Sequence, residues 1–261
     1  MDLFFWQSVL VGFAAQLVDG ALGMAYGLVS TSFLLAMGVP PAVASASVHT
    51  AEIFSTGVSG AAHTWRRNVD WALVWRLAPC GIAGGIVGAL CVSFTPVEII
   101  KPIVSLYLLG MGLFVIVLAF RTRPMPPAAP QGSSAVGLAG GFLDAAGGGG
   151  WGPITTTTLL GRGHQPRHAV GSVSVSEFFV TAAISATFFW SLGGVRLTDI
   201  AGLIIGGVLA APIAAFAVNK VKPRLMMGAI GCFVSAISVF QVVSAFDVDG
   251  ALMVSLRRLL G

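Results

Sequence analysis

The sequence predicts an all-α, polytopic membrane protein made of two inverted-topology repeats. Each repeat has three full spans plus a broken or re-entrant helical hairpin, which gives eight hydrophobic segments. Three observations carry this. First, the 261 residues are 56% hydrophobic and only 9% charged, with a mean hydropathy of +0.91, whereas a soluble domain carries roughly 25% charged residues. Second, the apolar residues come in runs of about 20, the length that crosses a bilayer core; the ~10-residue alternation of a membrane β-barrel is absent. Third, a shift of 125 positions lays Val11–Trp65 on Val136–Trp190 without a gap, with about 20 of 55 pairs identical, and such self-similarity governs the fold before any local signal.

The repeats divide the chain into 1–120, a linker 121–135, a second copy 136–246 and a tail 247–261. In copy one, Leu3–Val18 and Leu28–Met37 are apolar arms on either side of Asp19-Gly-Ala-Leu-Gly-Met-Ala-Tyr-Gly27, and neither arm is comfortably long enough to span. Leu3–Val18 runs straight into the repeat, so it reads as part of the fold and not as a cleavable signal. Full spans follow at Val43–Ala62, Trp71–Phe94 and Val97–Phe120. The Pro/Ala/Ser-rich connector Arg121–Ser134 separates the copies. In copy two, Val136–Leu143 and Pro153–Leu160 flank Asp144-Ala-Ala-Gly-Gly-Gly-Gly-Trp-Gly152. Spans follow at Ala169–Leu192, Leu197–Val218 and Leu225–Ala245, and Leu252–Leu260 reads as an interfacial tail.

Positive loops mark the cytoplasmic side. They are Arg66-Arg67 and Arg121/Arg123 in copy one, but Arg162/Arg167 and Lys220/Lys222/Arg224 in copy two. The bias is inverted between the copies, as inverted repeats require. It also places both ends of Val136–Leu160 on one side, as a re-entrant pair of half-helices would; eight ordinary spans, with Arg162/Arg167 left outside, is the alternative. The net charge of +4 sits in these short loops and gives no reason to expect a nucleic-acid partner. Cys80, Cys91 and Cys232 have no metal or redox spacing and read as buried, inert thiols.

The chemistry gathers at the breaks. Four consecutive glycines, Gly147–Gly150, cannot hold a helix, and irregular backbone at bilayer depth survives only where protein buries it or a watery cavity runs past it. Pro153 then starts a new helix, with Thr155, Thr156 and their neighbours within one turn. Exposed N–H groups, a positive dipole end and hydroxyls make an anion site. Gly23, Ser30 and Thr31 repeat the arrangement in copy one. The plainer reading is that the glycines only let helices cross closely.

On the following span Ser45, His49, Glu52, Thr56, Ser59 and His63 share one helix face, and copy two retains Ser174, Glu177 and Thr181. A mid-span carboxylate normally faces a pathway or a partner. Glu52 and Glu177 are therefore the candidate proton-coupling pair, with His49 assisting, unless they only brace the bundle. Asp19 and Asp144 either cap the half-helices or carry protons. Gly57-Val58-Ser59-Gly60 matches the motif of rhomboid-type intramembrane proteases, but the repeat puts Ile184 at the serine position, and a protease needs an activating histidine on another helix. The chain reads as a non-enzyme that needs no cofactor or metal.

The duplicated pattern Gly12-x6-Asp19…Gly23-x3-Gly27 and Gly137-x6-Asp144…Gly148-x3-Gly152, each followed by a turn with Pro41 or Pro166 and a Ser/Glu span, resembles the TauE/SafE family of sulfite exporters. The resemblance implies a multi-pass carrier in the cell (inner or plasma) membrane. Its partners would be the lipid bilayer and a small anion such as sulfite or an organosulfonate, moved by a secondary route; the absence of a phosphate-loop motif agrees with this. An anion channel, or a carrier of another solute, is the alternative.

Overall fold

A computed structural model describes residues 3–120, 132–193, 197–217 and 223–246. Most of the linker, the 220/222 lysines and the C-terminal tail lie outside the described residues. The described part is all helical. Copy one runs α1 (Leu3–Leu22), α2 (Tyr26–Ala36), α3 (Pro41–Trp65), α4 (Trp71–Phe94) and α5 (Val97–Phe120). Copy two repeats the order as α6 (Ser133–Gly147), a π-helical turn Gly152–Thr156 continuing into α7 (Thr157–Gly161), α8 (Pro166–Leu192), α9 (Leu197–Ala217) and α10 (Pro223–Phe246).

Local signals set the boundaries. Pro41 and Pro166 open α3 and α8 at the first helical position, where the missing N–H costs nothing. The Asp70 carboxylate accepts from the N–H groups of Ala72 and Leu73 at 3.0 and 3.3 Å and starts α4. Gly193 closes α8 in the left-handed region.

Two of the expected boundaries move. α1 carries on through Asp19 to Leu22, and α6 through Asp144 to Gly147, so the true breaks are Gly23–Ala25 and Gly148–Trp151. Keeping each aspartate on its helix lets the carboxylate reach forward to the start of the next one. As a result α1 has 20 residues, enough to span by itself, and the expectation that both copy-one arms are too short holds only for α2.

The arms of each broken hairpin fold back on one another. In copy two Gly140 lies against Thr155, and Gly132, just before α6, against the Arg162 guanidinium just after α7. In copy one Phe4 of α1 stacks on Phe33 of α2, with ring centroids 6.4 Å apart.

The copies then interlock. The most extensive pairings are α4 with α6 and α1 with α9, so each copy's first helix packs against the other copy's fourth element, and α3 with α8 and α5 with α10 pair like with like. The crossings are close enough to exclude side chains: a Cβ on Gly84 would lie 2.1 Å from the Leu138 carbonyl oxygen, and one on Gly206 would lie 2.1 Å from that of Val9.

Large apolar side chains such as Leu10, Trp75, Val117 and Trp190 cover the outside, as in a protein solvated by lipid. Cys91 and Cys232 also lie on this outer face, contrary to the expectation that all three cysteines are buried; in lipid an apolar thiol gains nothing from the interior. Polar residues go inward instead, so that Ser45, His49, Glu52 and Thr56 are buried while Ser59 and His63, nearer the helix end, are half-exposed.

Candidate functional site

The two breaks meet at the centre. A Cβ on Gly149 would lie 2.3 Å from the Leu28 nitrogen, and one on Gly27 would lie 2.7 Å from the Gly149 Cα, so only glycine lets the backbones touch. Two hydroxyls stitch them together reciprocally. Thr31 Oγ1 donates to the Gly148 carbonyl, and Thr156 Oγ1 to the Gly23 carbonyl at 3.1 Å. Donors and acceptors are each related by the 125-residue shift, so the symmetry of the sequence is also a symmetry of the contact.

Each aspartate caps the helix beyond its break. Asp144 Oδ1 accepts from Gly150 N–H at 2.8 Å and Trp151 N–H at 2.9 Å. Asp19 Oδ1 accepts from Tyr26 N–H, at 3.4 Å. The other Asp144 oxygen, Oδ2, lies 3.1 Å from His49 Nε2, and His49 Nδ1 lies 2.7 Å from the Ser45 carbonyl oxygen. Ser45 in turn donates to the Ala145 carbonyl at 2.8 Å, which fastens α3 to α6.

A small cavity lies where these elements converge. Asp19, Glu52, Asp144 and Glu177 face it, with Ala25, Tyr26, Gly27, Leu28, Gly149, Gly150, Gly152 and Pro153 completing the wall. Ten of these twelve positions form five pairs related by the 125-residue shift, so both copies contribute matching walls. The space between these walls is small. It has room for roughly one water, too little for an oxyanion of four heavy atoms. Among the described residues, no lysine or arginine lines it.

The predicted site residues therefore fall into two groups. Asp19, Glu52, Asp144, Glu177, Gly149 and Gly150 line the cavity, and His49 stands directly behind Asp144. Gly23, Thr31, Thr156 and Gly148 build the seam between the breaks, Gly147 lies under the Tyr107 ring, Ser30 is buried nearby, and Thr155 donates back to the Trp151 carbonyl.

Two residues escaped the sequence reading. Tyr107 on α5 donates to the Gly149 carbonyl at 2.8 Å, and its ring covers Gly147 and Gly150. The hydroxyl of Tyr26, fully buried, donates to the Leu203 carbonyl at 3.1 Å. Nothing marked Tyr107, whereas Tyr26 could have been found as the repeat partner of Trp151, the largest fully buried side chain.

An apolar-surfaced helical bundle whose centre is polar, symmetric and closed belongs to the class of multi-pass membrane transport proteins. The chain is a member of the sulfite exporter TauE/SafE family, whose profile matches residues 8–240. It is 42% identical over 250 residues to the "Probable membrane transporter protein YtnM" of Bacillus subtilis (strain 168), an alignment covering 92% of this chain and 83% of that protein. No solved structure matches it.

Proposed function

We propose that the protein is a secondary transporter, an exporter, of small sulfur-containing anions such as sulfite or organosulfonates. It works by alternating access and is coupled to protons through its buried carboxylates. The observation that carries this is the small cavity between the two copies, walled by the two glycine breaks and four carboxylates. The family description supports the sulfur anion, and the geometry supports the coupling. Four negative charges in a low dielectric repel an anion strongly, so cargo enters only once protons or a cation have neutralised them. Coupling is then a consequence of the wall and not an addition to it.

Opening begins at the seam. Parting the breaks frees the Thr31 and Thr156 hydroxyls, donors that an anion can use. An intramembrane protease has less support: the buried histidine, His49, is turned to Asp144 and Ser45, not to Ser59.

Reconstituted protein is expected to give saturable flux of labelled sulfite that responds to a pH gradient. Glu177→Gln and Glu52→Gln are expected to flatten that response. Unchanged pH dependence in both variants removes the coupling assignment. Absence of sulfite flux from folded protein moves the cargo to another anion, with sulfoacetate tried first.

A further inference from the structure

We infer that His49, Glu52 and Asp144 form a binding site for one divalent transition-metal ion of the zinc or manganese class. Each of the three offers a ligand atom, and all three atoms lie within 4.8 Å of one another in fully protein-enclosed surroundings. The histidine fixes the chemistry. A carbonyl only accepts, so the 2.7 Å contact to the Ser45 oxygen puts the ring proton on Nδ1. Nε2, the ring nitrogen left to serve as a ligand, faces Asp144 Oδ2 at 3.1 Å, a contact that either a shared proton or a metal ion satisfies. Metal-bound histidines are usually held in this way, the second ring nitrogen donating to a backbone carbonyl.

A separate observation points to the same place. Glu52 is 3% exposed and lines the cavity, and its Oε2 has no hydrogen-bond partner among the described residues. Mixed imidazole and carboxylate donors favour zinc-like ions over sodium, magnesium or calcium, which take oxygen ligands. The 3.1 Å between the two ligand atoms is close to the edge of a tetrahedron with bonds of about 2.0–2.1 Å. The repeat builds the site only once, because Ser174 stands where the symmetry would put a second histidine. The ion supplies positive charge at the wall whatever the cargo is, and on binding it displaces any proton held by these groups.

The test uses purified full-length protein in detergent, stripped of metal and then equilibrated with Zn²⁺ or Mn²⁺. One ion per chain is expected. His49→Gln and Glu52→Gln are each expected to weaken binding by more than about tenfold, and His164→Gln, on a loop, should leave it unchanged. Co²⁺ should give visible absorption bands of a mixed nitrogen and oxygen environment that vanish in His49→Gln. If His49→Gln does not fold, Glu52→Gln, which keeps the size of the side chain, carries the same test. Absence of bound metal in the wild type, two ions per chain, or affinity untouched by both substitutions overturns the site. None of these outcomes depends on sulfite flux, so the site and the transport reading fail separately.

Discussion

The two breaks have the same ancestry but are held differently. The copy-two break uses glycine at each position from Gly148 to Gly150, its aspartate accepts two short N–H bonds, and Tyr107 lies over it. The copy-one break forces Ala25 into the left-handed region at φ 109°, and its aspartate accepts a single N–H, at 3.4 Å. His49 stands behind Asp144, while Ser174 occupies the equivalent place in copy two. Duplication supplied the scaffold and divergence made one half the tight, chemically equipped side. The other half is the looser one, and motion should begin there.

The largest expected effect breaks this asymmetry directly. Asp144→Ala uncaps two N–H groups and strands a buried histidine, so flux should fall by well over tenfold and the melting temperature in detergent should drop. Asp19→Ala should cost less on both measures, each lost cap being worth about 1 kcal/mol. Equal losses would mean that the two sides are held alike. Asp144→Asn, which keeps the cap oxygen but not the charge, should recover the stability without the flux.

Next come the stitching hydroxyls. Thr31→Val and Thr156→Val each remove one reciprocal bond and leave a buried carbonyl unpaired, at about 1–3 kcal/mol. Because the closed seam loses the bond, both variants should shift toward open states. Faster labelling of a cysteine introduced in place of Leu28, which already carries a side chain at the cavity wall, would report that shift, and unchanged labelling would show that the hydroxyls do not hold the seam closed.

The smallest effect sharpens the comparison. Ala25→Gly relieves the left-handed strain at the loose break, so unfolding should become harder by about 1 kcal/mol. The corresponding Gly150→Ala should do harm instead, since its Cβ would meet the Tyr107 hydroxyl at 2.3 Å.

Much of the fold was legible because its signals are local. Trp71–Phe94 and Val97–Phe120 are observed with the predicted ends, set by Asp70 before one helix and by the Thr95-Pro96 break before the other. The breaks were placed a few residues early because Asp19 and Asp144 look like helix stops, whereas each stays helical to serve the N–H groups beyond. The gathering of Asp19, Glu52, Asp144 and Glu177 followed from the repeat and was accessible to sequence. The His49–Asp144 contact spans 95 residues and breaks the symmetry, and Tyr107 reaches the seam from α5, outside the aligned stretch Val11–Trp65, so neither left a trace in the sequence.

The interlocked packing also sets an order of assembly. α1 is made first, yet its main partner α9 begins roughly 175 residues after α1 ends. At about 5–20 residues per second, that is a wait of roughly 10–35 s in the bilayer without its neighbour. A helix that must stand alone for so long needs enough length and apolarity to be a span in its own right, and α1 has 20 residues. α6 emerges when α4 is already in place to receive it, and at 15 residues it has been free to stay short and glycine-rich. The first helix of each copy thus carries the imprint of the moment at which the ribosome delivers it.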